Sequence, residues 1–176
     1  LDYITRKAIR FFQDKGHKEI GFVGGTYVNP DTHFDEMDIR ERSFRDEMQQ
    51  QNMLEEAHIY IRRGFSLETG YQLIDTALKS GKKLPSAIFA ASDPIAVGVL
   101  QALNEHHVRI PQDVSVLSIN NISVANYVSP PLSTYAIDMK ELCQTAVSLL
   151  LEQLIDKRVI TKKVLLNAFL IERKST

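Results

Sequence analysis

An α/β domain on a doubly wound, mostly parallel sheet is the fold class this sequence predicts, and three observations carry that prediction. Helical and strand periodicities alternate along almost the whole chain, and strands separated by single helices must run parallel with right-handed crossovers. The segment EIGFVGG is short, nearly all apolar and ends in two glycines, as a strand buried on both faces does. The run FAASDPIAVGVLQALNE, residues 89 to 105, passes from a small apolar stretch through Ser92-Asp93-Pro94 into a helical pattern. That is a strand exit of the kind where open α/β sheets collect ligands.

YITRKAIRFFQDKG places Ile4, Ala8, Phe11 and Phe12 on one face and stops at Gly16, a helix of roughly 12 residues. The strand EIGFVGG follows, then a 14-residue polar loop from Gly24 to Met37. DIRERSFRDEMQQQN has helical spacing through Ile39, Phe44 and Met48, and AHIYIRR alternates as a strand. Ser66 can cap a helix that carries Leu67, Tyr71, Ile74 and Leu78 on one side. SAIFAAS is the next strand, and Asp93 is the expected cap of the helix after it, with Pro94 in the first turn where its missing N–H costs nothing. VSVLSIN and LSTYAID are two further strands; DMKE at 138 to 141 is a capping box opening a long helix, and KKVLLNAFLIER is the last strand.

Composition removes several function classes. The 21 basic and 22 acidic residues leave a net charge of −1, and no Lys or Arg cluster marks a nucleic-acid surface. The one cysteine, Cys143, excludes an internal disulfide and a thiol-based zinc site; among the leucines of ELCQTAVSLLLEQL a buried, inert thiol is expected. No apolar run reaches the ~20 residues of a membrane span, and no signal segment opens the chain. GGTYVNP lacks the spacing that cradles phosphates, and two glycines at a tight strand exit explain it. DTHFDEMD, residues 31 to 38, matches no metal-ligand spacing, and His106-His107 fit a solvated helix tip. No nucleophile elbow or working carboxylate pair is present, so the sequence implies neither an enzyme nor a cofactor.

Six stretches then carry a resemblance. GHKEIGFVGG, IRERSFRDEM, AIFAASDPIAVGVLQAL, RIPQDVSVLSINN, YVSPPLSTYAID and LLNAFLIERKST are similar, in order, to landmarks of the LacI/GalR family of bacterial transcription repressors, and they span essentially the whole chain. The resemblance implies a two-lobed, periplasmic-binding-protein-like body that binds a sugar between its lobes. It places Arg40 as the arginine that grips sugar hydroxyls and Phe65 as an aromatic against a pyranose face. Ser92 stands where many relatives have Asn. Asn120 replaces the first Asp of an Asp-Asp or Asn-Asp pair and so loses charge-assisted bonds. Asn121, Ile137 and Met139 lie on the same rim.

The resemblance divides the chain into a C-terminal lobe core at 17–137, a helix at 138–160 returning to a truncated N-terminal lobe, and a final strand region at 161–176. The whole, 1–176, is then a fragment of the effector-binding domain, beginning after the DNA-binding part. The helix after Pro94 is apolar all round, so Ile95, Val99 and Leu103 are expected at a homodimer interface with Tyr127 as an anchor. The implied partners are a small-molecule effector, with a galactoside favoured by the carboxyl-terminal landmark, and operator DNA through an N-terminal helix-turn-helix outside this chain. The implied location is cytoplasmic. A transport-type sugar-binding protein and an α/β enzyme are the competing readings. The face Leu142, Ala146, Leu150 and Leu154 is expected to lie uncovered.

Overall fold

The computed structural model describes residues 1–176. Helix α1 (Asp2–Asp14) buries Ile4, Ala8, Ile9 and Phe12 and ends before Gly16, whose φ of +90° turns the chain. Strand β1 (Ile20–Val28) follows, then β2 (Asp35–Met37), α2 (Ile39–Gln50), β3 (Ile59–Arg63), α3 (Leu67–Lys79) and β4 (Ala87–Ala90). Helix α4 (Asp93–Glu105), β5 (Ser115–Asn120), β6 (Ser133–Ala136), α5 (Met139–Leu154) and β7 (Phe169–Ile171) complete the order.

All seven strands form one sheet in the order β2-β1-β4-β5-β6-β7, with β3 also paired to β1. The pairs β1·β3, β1·β4, β4·β5 and β5·β6 are parallel; β1·β2 and β6·β7 are antiparallel. The doubly wound α/β class is thus observed. The helices pair as α1 with α2 and α3 with α4, the two-sided cover a parallel sheet requires. Ile20, Phe22, Ile88, Phe89, Val116, Leu117 and Ile119, all at most 2 % exposed, fill the middle of one continuous core.

The tightest packing explains the helix that is apolar on every side. Helices α3 and α4 approach so closely that a Cβ on Gly70 would meet the Ile95 carbonyl oxygen at 2.1 Å, and one on Gly98 would meet the Leu67 carbonyl oxygen at 1.9 Å. With α3 on one side and the sheet on another, Ile95, Val99 and Leu103 are fully buried inside the chain. They therefore cannot face a second copy, which corrects their assignment to an interface. Tyr127 differs: it is 85 % exposed.

Other expectations also change. Strand β1 runs past its glycines to Val28 and pairs Thr26, Tyr27 and Val28 with Met37, Glu36 and Asp35, so the supposed loop is largely a β-hairpin. Ile39 and Leu67 lie outside the core at 45 % and 42 % exposure, because each sits in the first turn of its helix beyond the sheet edge. His106 is no free helix tip, since its Nε2 lies 2.8 Å from Asp75 Oδ1 on α3. Cys143 is exposed, for α5 has no buried residue at all; Leu142, Ala146, Leu150 and Leu154 are uncovered as expected. Of the last strand only β7 forms, paired to β6, and residues 155 to 168 form no strand.

The lobe boundaries shift as well. Residues of α1 belong to the same core cluster as β1, β4 and β5, and Ser175 bonds to both backbone groups of Val116, so the packed unit is wider than 17–137.

Candidate functional site

The carboxyl ends of β1, β3, β4, β5 and β6 open on one side of the sheet, and the loops there hold the candidate residues. At the centre stands Arg40. Asp38 caps α2 by accepting from the Arg40 backbone N–H at 2.8 Å, and the same carboxylate takes Nε and Nη2 of Arg40 at 2.6 and 2.9 Å. Nη1 donates to the Ala91 carbonyl at 2.7 Å, at the end of β4. The guanidinium lies over the Phe65 ring, 4.9 Å from its centroid. Three of its five N–H groups are thus committed to holding it still, and two remain for a ligand. Burial pushes the Asp38 carboxyl up, and the hydrogen bonds and charge of Arg40 outweigh it, leaving the pKa below its ordinary value.

Ser92 follows Ala91. Its backbone is extended, its carbonyl starts α4 by accepting from Ala96 N, and its side chain makes no capping bond. Buried to 7 % exposure, its Oγ has no partner in the protein. Such a hydroxyl is costly unless something bonds to it. Ser92, and not Asp93, is therefore the cap position of α4, with Asp93 and Pro94 in the first turn.

Asp93 points inward instead. Its Oδ1 accepts from the Thr134 hydroxyl at 2.7 Å and from the Ser118 hydroxyl, and its Oδ2 accepts from the Ile122 N–H at 2.7 Å. One carboxylate so ties α4 to β5, β6 and the turn after β5. Burial raises its pKa above the ordinary value, and the three hydrogen bonds and the charge of Arg173 only partly offset this.

Asn120 and Asn121 have φ of +117° and +55°, a left-handed pair that Asn tolerates better than other side chains. They split in role. Asn120 ends β5 opposite Ala136, half-buried at the rim beside Ile137. Asn121 has its Oδ1 bonded to Arg173 Nη2 at 2.7 Å, while Nη1 of the same arginine holds the Leu132 carbonyl. Asn121 therefore helps to fix the turn through its Oδ1. Arg40, Phe65 and Ser92 come together at the end of β4; Asn120 and Ile137 border them from the next two strands; Met139 is exposed beyond. Asp38 and Arg173 were missed, although Asp38 directly before a helical pattern is a recognisable cap.

A family model described as a periplasmic binding protein-like domain matches residues 9–176. The chain belongs to this family. Among its relatives, the HTH-type transcriptional regulator GanR of Bacillus subtilis is 56 % identical over 99 % of this chain and 53 % of its own length. The HTH-type transcriptional regulator LacR of Lactobacillus helveticus is 38 % identical over 99 % of this chain and 52 % of its own. The solved structure of a LacI-family sugar-binding transcriptional regulator from Escherichia coli, complexed with phosphate, superposes with a TM-score of 0.80 at 26 % identity, covering 99 % of this chain and 60 % of that one. The resemblance to the LacI/GalR regulators thus holds along the periplasmic-binding-protein-like chain, which spans about half the length of the curated relatives it matches. No helix in it is long and apolar enough to cross a membrane.

Proposed function

We propose that this chain is the sugar-sensing core of a cytoplasmic transcription repressor, and that it is a binding module with no catalytic step. The observation that carries the proposal is the immobilised Arg40. A guanidinium clamped by Asp38 and Ala91, stacked on Phe65 and retaining two free donors, suits adjacent hydroxyls on a ring whose apolar face needs an aromatic partner. The unpartnered Ser92 Oγ and the half-buried Asn120 add hydrogen-bonding capacity on the same side, and Ile137 adds an apolar edge. No titratable pair at the strand ends is arranged for proton transfer, and the relatives are named transcriptional regulators.

In this reading residues up to 137 form one wall of a cleft, and α5 with residues up to 160 reaches toward a second lobe formed by chain outside this sequence. The uncovered face of α5 agrees with that division. A galactoside is the favoured effector. Ligand binding between two lobes changes operator affinity only to the extent that it favours one lobe arrangement over another. Operator contact belongs to a helix-turn-helix outside this chain, and the protein acts as a homodimer in which Tyr127 is an anchor.

Calorimetric titration of the full-length protein with methyl β-galactoside and a panel of other sugars tests the proposal. Arg40→Ala should weaken binding by about 1.5 to 3 kcal/mol, the scale of a hydrogen bond to a charged group. Equal affinities in wild type and variant would remove Arg40 from the site.

A further inference from the structure

Beyond its glycine pair, the sheet carries a second feature that the crevice residues leave unused. The β1·β2 hairpin and the first turn of α2 enclose a groove lined by Tyr27, Asp35, Glu36, Met37, Ile39 and Arg42. It adjoins the crevice through the chain itself: β2 runs into Asp38, which clamps Arg40, and Ile39 stands between those two residues. Groove and crevice therefore share the start of α2.

The lining is mixed in a specific way. Tyr27, Met37 and Ile39 are 45 %, 40 % and 45 % exposed, and so leave apolar surface open where a hairpin could have carried polar residues. The carboxylates are already fixed. Glu36 accepts from the Tyr27 hydroxyl at 2.9 Å and from the Asn29 amide, and Asp35 accepts from Nε and Nη2 of Arg63 at 2.9 and 3.0 Å. The hydrogen bonds from Asn29 and Tyr27 lower the Glu36 pKa, so it stays an acceptor at neutral pH. The exposed Arg42 donates its backbone N–H to the Asp38 carbonyl, and its guanidinium makes no hydrogen bond within the chain. Two carboxylates disfavour an anionic ligand, the free guanidinium disfavours a cation, and the charged rim disfavours a purely apolar one. A ring with one apolar face and a hydroxylated edge meets all three conditions.

Resting on the sugar-sensing reading above, we infer that this groove is a second saccharide subsite. The effector is then at least a disaccharide, with one sugar at Arg40 and its neighbour along the hairpin against Tyr27 and Arg42. The hairpin selects for chain length, while Arg40 and Phe65 bind the first ring.

Titrating the full-length protein with methyl β-galactoside, lactose and melibiose separates the two subsites, because the monosaccharide probe reaches only the first. At least one disaccharide should bind about tenfold or more tightly than the monosaccharide. Tyr27→Ala and Arg42→Ala should each remove most of that advantage and leave monosaccharide affinity unchanged, whereas Tyr27→Phe, which keeps the ring, should retain most of it. Monosaccharide binding that depends on Arg40, with no disaccharide advantage or with an advantage untouched by the hairpin variants, overturns the second subsite and leaves the crevice standing. Failure of every saccharide to bind overturns both.

Discussion

Asp93→Ala should destabilise the full-length protein by about 2 to 4 kcal/mol, although the residue touches no ligand. The carboxylate accepts from Ser118, Thr134 and the Ile122 N–H, and hydrogen bonds to a charged group contribute about 1.5 to 3 kcal/mol each. Those three bonds do not add in full. Burial raises the carboxyl pKa, so desolvation takes back a large part of the gain. What the Ala variant leaves behind sets the net cost. The Ile122 N–H loses its acceptor, whereas Ser118 Oγ already lies 3.5 Å from the Ser133 carbonyl and can turn toward it. One orphaned N–H, the Thr134 hydroxyl left without its acceptor, the redirected Ser118 hydroxyl and a small cavity give the stated range. Asp93→Asn should cost much less, because its oxygen can face the Ile122 N–H while its NH2 donates to the two hydroxyls. Urea unfolding at pH 7 measures both variants. An Ala variant within about 0.5 kcal/mol of wild type would refute the reasoning, and an Asn variant as damaged as Ala would show that charge, not hydrogen bonding, holds the turn. The pH dependence has a definite sign. A raised folded pKa means the folded protein holds the proton more tightly, a stabilisation fully present below the ordinary value of 3.8 and lost as pH rises through the folded value. Wild type should therefore gain on the non-titrating Asn variant as pH falls from neutral toward 4.

Gly98→Ala should lower stability by about 1 to 3 kcal/mol in thermal or urea melts, since the added Cβ falls 1.9 Å from the Leu67 carbonyl oxygen and forces α3 and α4 apart; an unchanged melt would contradict their close approach. Asp113 is held down to about 2 by side-chain and backbone hydrogen bonds from Arg109, so its contribution is present above the ordinary value of 3.8 and disappears as pH falls through the folded value. Asp113→Asn should accordingly reduce the urea midpoint at pH 5 and converge on wild type near pH 2. Tyr127→Ala should shift the full-length protein toward monomer in sedimentation equilibrium, by about 1 kcal/mol or more if the ring is an interface anchor; an unaltered association constant would place the two-fold contact elsewhere.

Much of this fold is legible in the sequence because burial and period agree. Ile4, Ala8 and Phe12 recur at helical spacing and are buried, and Ser66 and Asp138 each accept from the backbone N–H three residues on, as caps should. The hairpin escapes such a reading, since Tyr27, Glu36 and Met37 pair without burying one face and show no alternation. The opposite error occurs at Val164 and Leu165, which have strand-forming composition but lie in a stretch that forms no strand. Helix α4 misleads for a third reason. An all-round apolar pattern states that every face is covered, yet not by what, and the two glycines that bring α3 against it act through an absent side chain.

Crevice residues are legible as neighbourhoods more readily than as roles, because adjacent positions at a strand end divide the labour. Ser92 leaves a buried hydroxyl unpartnered, while Asp93 beside it spends its carboxylate on three internal bonds. Asn120 ends its strand at the rim, while Asn121 is tied down by Arg173. Arg40 keeps donors for a ligand only because Asp38, two residues before it, fixes its orientation. A strand that ends in a left-handed or extended residue sends successive side chains in different directions, so one can face the crevice while the next anchors the loop. Polar pairs at such ends therefore carry function and stability together. Replacing both members of a pair confounds the two, whereas single substitutions at Ser92 and at Asp93 should separate them: loss of ligand affinity with no loss of stability in the unliganded protein for the first, and loss of stability for the second.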